Sequence, residues 1–141
     1  MNYFVTGASG FIGRRLVEKL LRRENGTVSY LILERELPMV EQLRQRWGAA
    51  ADRTVPIVGD LTRPRLGVSD GDVARLKGNV HHFFHLAAIY DLKASAEIQE
   101  KVNIEGTRNV VAFADAIEAG CFHLTSSIAA AGLYEGVFRE D

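Results

Sequence analysis

Apolar positions along the chain follow two alternating rhythms. Asn2-Tyr3-Phe4-Val5 is a short run with β-branched and aromatic character, which predicts a strand. Ile12, Leu16, Val17, Leu20 and Leu21 then recur at helical spacing. Glu24-Asn25-Gly26 stops that helix, with Gly26 suited to a left-handed cap. Val28-Ser29-Tyr30-Leu31-Ile32-Leu33 is almost continuously apolar, as a parallel strand covered on both faces requires. Leu37 to Trp47 predicts a second helix, with Pro38 in its first turn and Val40, Leu43 and Trp47 on one face. Val55-Pro56-Ile57-Val58 predicts a third strand, placed at an edge because its proline lacks a ladder donor.

A loop holding Pro64 and Gly67 leads to Ser69, which caps a short helix carrying Val73 and Leu76, with Asp72 in the capping-box position. Val80 to Leu86 predicts a fourth strand running on into Ala87-Ala88. A long helix from about Ala94 to Ala119 follows, with Val102, Gly106, Val110, Phe113 and Ile117 on one stripe and Gly120 closing it. Cys121-Phe122-His123-Leu124 is a fifth strand leading into Thr125-Ser126-Ser127.

Strands alternating with helices specify an α/β fold, a doubly wound parallel sheet with right-handed crossovers. In the nucleotide-binding order 3-2-1-4-5, a ligand crevice opens between the first and fourth strands. The chain of 141 residues is one domain's worth, 1–141. It has no internal repeat, low-complexity tract or interdomain linker. After Ser127 the stretch to Asp141 has turn glycines at Gly132 and Gly136 but no further regular element. The sheet is therefore expected to be truncated after its fifth strand.

Composition narrows the class further. Hydrophobic content of 47%, charged content of 25% and a net charge of -1 describe an ordinary soluble protein. Near-neutral charge offers nothing to nucleic acid or an anionic membrane surface, and no apolar run approaches the ~20 residues of a membrane helix. A strand beginning almost at Met1 leaves no room for a secretory signal. One cysteine, Cys121, cannot form an intrachain disulfide, so a reducing cytoplasm is the expected compartment. Cys121 reads as an inert small hydrophobe opening a buried strand. His81, His82, His85 and His123 have no Cys or carboxylate partner at ligand spacing along the chain, so no metal site is expected.

The chemistry concentrates in Thr6-Gly7-Ala8-Ser9-Gly10-Phe11-Ile12-Gly13, between the first strand and the first helix. A spaced glycine triplet in that context means phosphate binding. Gly7 permits the tight turn, Gly10 lets backbone approach a pyrophosphate, and Gly13 lets the helix lie against the strand. The helix N-terminus then offers free amides and about half a positive charge to the anion.

Four features stand together in order: Thr6 to Gly13, Gly59-Asp60-Leu61, His85-Leu86-Ala87-Ala88, and Asn103-Ile104-Glu105-Gly106-Thr107 followed by Thr125-Ser126-Ser127. They resemble the N-terminal portion of an extended short-chain dehydrogenase/reductase, the Rossmann-type branch that includes epimerases, dehydratases and reductases. Phe11-Ile12-Gly13-Arg14 and His82 to Ala88, with Ser126 to Gly132, resemble most the acyl-thioester and fatty acyl-CoA reductase-like members. The resemblance implies that Gly7, Gly10, Phe11, Ile12 and Gly13 hold NAD or NADP. It implies that Asp60 meets the adenine amino group with Leu61 beside the ring, and that Ala87 and Ala88 admit the ribose and pyrophosphate. Asn103 would support the active site, and Ser127 would hydrogen-bond the substrate, with Ser126 as runner-up by register. Plainer readings stay open: Asp60 as a cap of the following loop, Ala87 and Ala88 as tight packing, Asn103 as a surface side chain, Glu34 and Arg35 as solvated charges, and the serines as partners of local amides. Glu34 and Arg35 stand side by side where an acidic residue selects NAD and an arginine selects NADP, so the cofactor choice is open.

The same resemblance implies a catalytic Tyr-x-x-x-Lys pair. Tyr3, Tyr30, Tyr90 and Tyr134 are followed four residues on by Gly7, Glu34, Ala94 and Phe138, so none qualifies. The expectation is the cofactor-binding half of a reductase of acyl thioesters or aldehydes, catalytically incomplete as given and a homodimer when full length. The alternatives are a dinucleotide-binding redox sensor and the first half of a sugar-nucleotide epimerase or dehydratase.

Overall fold

The computed structural model describes residues 1–23, 25–89 and 95–139; Glu24, Tyr90, Ala94 and Asp141 lie outside the described residues. The strands are β1 (Asn2–Thr6), β2 (Thr27–Ile32), β3 (Thr54–Val58), β4 (His82–His85) and β5 (Cys121–Leu124). They form one sheet in the order β3-β2-β1-β4-β5, and every pair is parallel, as the alternation of strand and helix requires. Between them come α1 (Phe11–Leu21), α2 (Met39–Trp47), α3 (Asp70–Leu76), α4 (Ala96–Gln99) and α5 (Gly106–Ala116). Proline keeps β3 at the edge: Pro56 pairs with Tyr30 of β2 and has solvent on its other side.

Period-two alternation along β1 divides the core into two layers. Phe4 packs with Ile57, Phe83, Val110 and Phe113 on the α3 and α5 side. Tyr3 and Val5 pack with Val17, Leu20, Tyr30 and Trp47 on the α1 and α2 side. The Phe4 ring lies 4.7 Å from Phe83 and 5.7 Å from Phe113, centre to centre. Burying each such ring contributes about 1.5–3 kcal/mol, more than any surface ion pair here, so these rings anchor α5 to the sheet.

Several boundaries differ from the sequence reading. Asn25 (φ 59°), not Gly26, takes the left-handed turn after α1. A tertiary cation completes that end: the Arg53 guanidinium donates to the carbonyls of Leu21, Arg23 and Gly26, offsetting the negative end of the helix dipole. The long fourth helix is three pieces, with a π-helical segment Glu100–Glu105 between α4 and α5. It stops at Ala116, where Glu118 (φ 54°) turns the chain in place of Gly120. Gly120 serves packing instead, since a side chain there would meet the His81 carbonyl at 2.9 Å. Ser69 caps α3 as expected, accepting from the Asp72 amide at 3.1 Å. Cys121 is exposed, because β5 is the other sheet edge among the described residues, and the expectation of a buried cysteine is corrected.

Candidate functional site

The turn after β1 brings α1 back against the strand it left. Gly7 adopts φ 75°, and a Cβ on it would sit 2.9 Å from Ala87 Cα. A Cβ on Gly13 would lie 2.0 Å from the Gly7 carbonyl oxygen, so the first turn of α1 touches the loop directly. Gly10 is the N-cap and supplies no side-chain hydrogen bond, and no acidic residue occupies the first turn. The amides of Phe11, Ile12 and Gly13 therefore keep their anion-binding capacity.

At the C-terminal ends of β1 to β4 lies a cleft of about 560 Å³. It is lined by Gly7 and Gly10 from the first turn, Arg35 and Glu36 after β2, Asp60 and Leu61 after β3, and Ala87 and Ala88 after β4. Sequence-predicted residues from four separate segments thus share one wall. Ile98, Lys101 and Val102, from α4 and the π-helical segment, close the far side and were not anticipated. Their only signal in the sequence is proximity to Asn103.

The remaining candidates stand elsewhere. Phe11 and Ile12 are 63% and 59% exposed, outside the cleft lining, and the Arg15 guanidinium covers the Phe11 ring at 4.3 Å. Gly13 is buried in packing. Glu34 lies in a 3₁₀ turn (Glu34–Glu36) whose Arg35 and Glu36, not Glu34, reach the cleft. Ser127 caps a short turn (Ile128–Ala131), its Oγ accepting from the Ala129 amide at 3.0 Å, and does not line the cleft. That bond is a local-amide contact, and it leaves the Ser127 hydroxyl proton to donate elsewhere.

Asp60 caps its loop and also borders the cleft. Its Oδ1 accepts from the amide and the hydroxyl of Thr62, each at 2.8 Å, which caps the loop. Its Oδ2 has no protein partner among the described residues, while the side chain borders the cleft. Burial pushes its pKa up, but the Thr62 hydrogen bonds and the Arg63 and Arg35 charges outweigh that and hold it below the ordinary value. The carboxylate is charged and ready to accept.

Asn103 clamps the cleft from behind. Its Oδ1 accepts from the Ile89 amide at 2.8 Å and its Nδ2 donates to the Ile89 carbonyl at 2.9 Å, fixing the chain just after Ala88. A second set of bonds fixes the same segment from β1. Thr107 donates its hydroxyl proton to the Asn103 carbonyl at 2.7 Å. It must therefore accept from His85 Nε2 at 3.2 Å, which leaves His85 Nδ1 unprotonated to accept from Thr6 Oγ1 at 2.6 Å. Thr6 Oγ1 in turn accepts from the amides of Leu86 and Ala87, both at 3.3 Å. Only neutral His85 fits this order of donors, and burial pushes its pKa down accordingly. Sequence reading placed His85 in a motif; its partners became visible only when β1, β4 and α5 met.

Comparison with known proteins gives a consistent picture. The family described as Male sterility protein, an NAD-binding family, matches residues 5–141. A putative fatty acyl-CoA reductase of Drosophila melanogaster is 34% identical over 126 residues, covering 78% of this chain and 24% of that protein. The human 3 beta-hydroxysteroid dehydrogenase type 7 is 32% identical over 112 residues, covering 77% of this chain and 28% of the relative. Among solved structures, the terminal R domain from the myxalamid PKS-NRPS biosynthetic pathway superposes with a TM-score of 0.83 at 26% identity. That match covers 96% of this chain and 37% of the R domain. The chain therefore spans a quarter to about a third of these relatives.

Proposed function

Because this chain belongs to the Male sterility protein family, within the extended short-chain dehydrogenases/reductases, we propose that residues 1–141 are the unit that binds NADP(H) for a reductase of acyl thioesters or aldehydes. The observation that carries the reading is the cleft that gathers Gly7, Gly10, Asp60, Ala87 and Ala88 beside an uncapped helix N-terminus. The fit is steric as well as electrostatic, since a Cβ on Gly7 would meet the Ala87 backbone nitrogen at 2.8 Å, so only glycine lets the phosphate turn lie this close to the end of β4.

In this reading the amides at the start of α1 hold the pyrophosphate, Asp60 Oδ2 accepts from the adenine amino group, and Leu61 covers the ring. Arg35, on the cleft wall where Glu34 is not, faces the adenosine ribose and favours the extra phosphate of NADP. The bound nicotinamide supplies hydride. Asn103, the Thr6–His85–Thr107 bonds and Ala88 hold the end of β4 still beside it. Ser127, at the C-terminal end of β5, is the proposed partner of the substrate oxygen. A cytoplasmic location is part of the proposal, supported by the single cysteine. Among the described residues no helix is long and apolar enough to cross a membrane.

The test is a fluorescence titration of this chain with NADPH and NADH. The expected outcome is saturable binding of NADPH, tighter than NADH by at least about tenfold, or ~1.4 kcal/mol. No binding of either nucleotide to folded protein would overturn the reading.

A further inference from the structure

At the opposite end of the sheet from the cleft, β4 and β5 begin side by side, with His82 in register with Cys121 and Phe84 with His123. Alternate residues of a strand share a face, so His82, Cys121 and His123 project together. Nδ1 of His82 and Nε2 of His123 lie 3.1 Å apart. Those nitrogens and Cys121 Sγ all lie within 4.8 Å of one another. Among the described residues no other His, Cys, Asp and Glu side chains come together in this way.

Both rings are held in place. His123 stacks on Phe84 at 4.4 Å with planes 9° apart, and His82 stacks on Tyr3 at 6.0 Å. The cysteine is exposed and its thiol is in no disulfide.

We propose that His82, Cys121 and His123 form a site for a divalent cation of the zinc class, clamping β5 to β4. One thiolate and two imidazoles are a ligand set suited to zinc, and a solvent water completes the tetrahedron. Zinc–nitrogen bonds of about 2.0–2.1 Å place two tetrahedral nitrogens about 3.3 Å apart, close to the separation already present. Without a metal, the facing ring nitrogens share one proton. On binding, that proton moves to the remote nitrogen of its own ring and the thiol proton leaves to solvent, so both imidazoles stay neutral. His82 and Cys121 open their strands, His123 stands one residue before the end of β5, and none of the three lines the cleft, so the cation clamps the two strands and takes no part in the nucleotide site. The four-residue edge strand β5, paired on one side only among the described residues, is the element that gains from a clamp.

Cobalt(II) titration of the 141-residue chain, followed by zinc, tests this. One equivalent of cobalt should give tetrahedral visible bands and a sulfur-to-cobalt charge-transfer band, both removed by zinc. Cys121 is the single cysteine, so Cys121→Ser should abolish the charge-transfer band. His82→Gln and His123→Gln should each weaken binding at least about tenfold. Zinc should raise the thermal midpoint of the unmodified chain and not of Cys121→Ser, whose far-UV circular dichroism should match the parent because the residue is exposed. Absence of saturable one-equivalent binding overturns the proposal. So does a charge-transfer band of equal affinity in the two histidine variants, which would mark an adventitious surface thiol.

Discussion

Gly13 shows how much one missing carbon decides. A Cβ there would stand 2.0 Å from the Gly7 carbonyl oxygen, with backbone on both sides and no flexible side chain to yield. Gly13→Ala should therefore push α1 off the loop, destabilising the fold by about 1–3 kcal/mol. The same variant should lose NADPH affinity together with the phosphate amides; chemical denaturation and nucleotide titration read the two effects. Arg35 carries a subtler consequence. It borders the cleft and is charged, so Arg35→Ala should weaken NADPH binding about tenfold and leave NADH binding nearly unchanged. An equal loss for both nucleotides would refute its assignment to the extra phosphate. Tyr30 runs the other way. Its hydroxyl is buried with no hydrogen-bond partner, and burial raises its pKa against a small opposing effect of Arg44. Removing an unsatisfied hydroxyl leaves the ring and its edge contact with Trp47 intact, so Tyr30→Phe should leave the melting temperature unchanged or higher.

The end of β4 is where elements cooperate. It is held from β1 through Thr6, from α5 through Thr107 and from the π-helical segment through Asn103. In the π-helical segment the Asn103 side chain is committed across elements to Ile89, while its carbonyl accepts the Thr107 hydroxyl four residues on along the helix. The order of donors around His85 has a pH consequence. Its ordinary pKa is 6.5 and burial lowers it in the fold. The unfolded chain therefore binds this proton more readily than the folded one. The contribution of neutral His85 to stability is complete above the unfolded value and declines as pH falls through it toward the lower folded value. Urea unfolding across that window should show stability falling with pH, and a His85→Asn variant should show a shallower slope. A deeper anchor lies in the same layer. Phe113→Ala leaves a cavity beside Phe4 and Phe83 and should cost about 3–5 kcal/mol.

Across the whole molecule, two layers of apolar packing hold a parallel sheet whose strand ends converge on one cleft, while the candidate cation site lies outside that cleft, between β4 and β5. A ligand that binds only the folded chain stabilises it, by about 2.7 kcal/mol at a hundredfold excess over Kd. NADPH should raise the thermal midpoint of this chain accordingly, whereas zinc should act independently of it. Additivity of the two shifts, measured by calorimetry, is the expected outcome for sites that share no lining residue.

Period and punctuation along the chain were enough to specify the alternating elements, a parallel sheet and the glycine turn, because strands covered on both faces and glycine-led turns leave strong local signals; the strand order followed from the nucleotide-binding pattern. Asp60, Ala87 and Ala88 were legible through their motif, and the cap at Ser69 through its spacing. Contacts between segments distant along the chain decided the rest. Arg35 rather than Glu34 meets the cleft because of the turn after β2, and Asn103 binds Ile89 because a π-helical segment carries it there. Ser127 turns to its own neighbour's amide. His82 met Cys121 only when β4 and β5 paired, 39 positions apart along the chain but directly opposite in register. Hydrophobic rhythm encodes which face of an element is buried; which polar groups then face one another is settled by register and packing, which no local pattern contains.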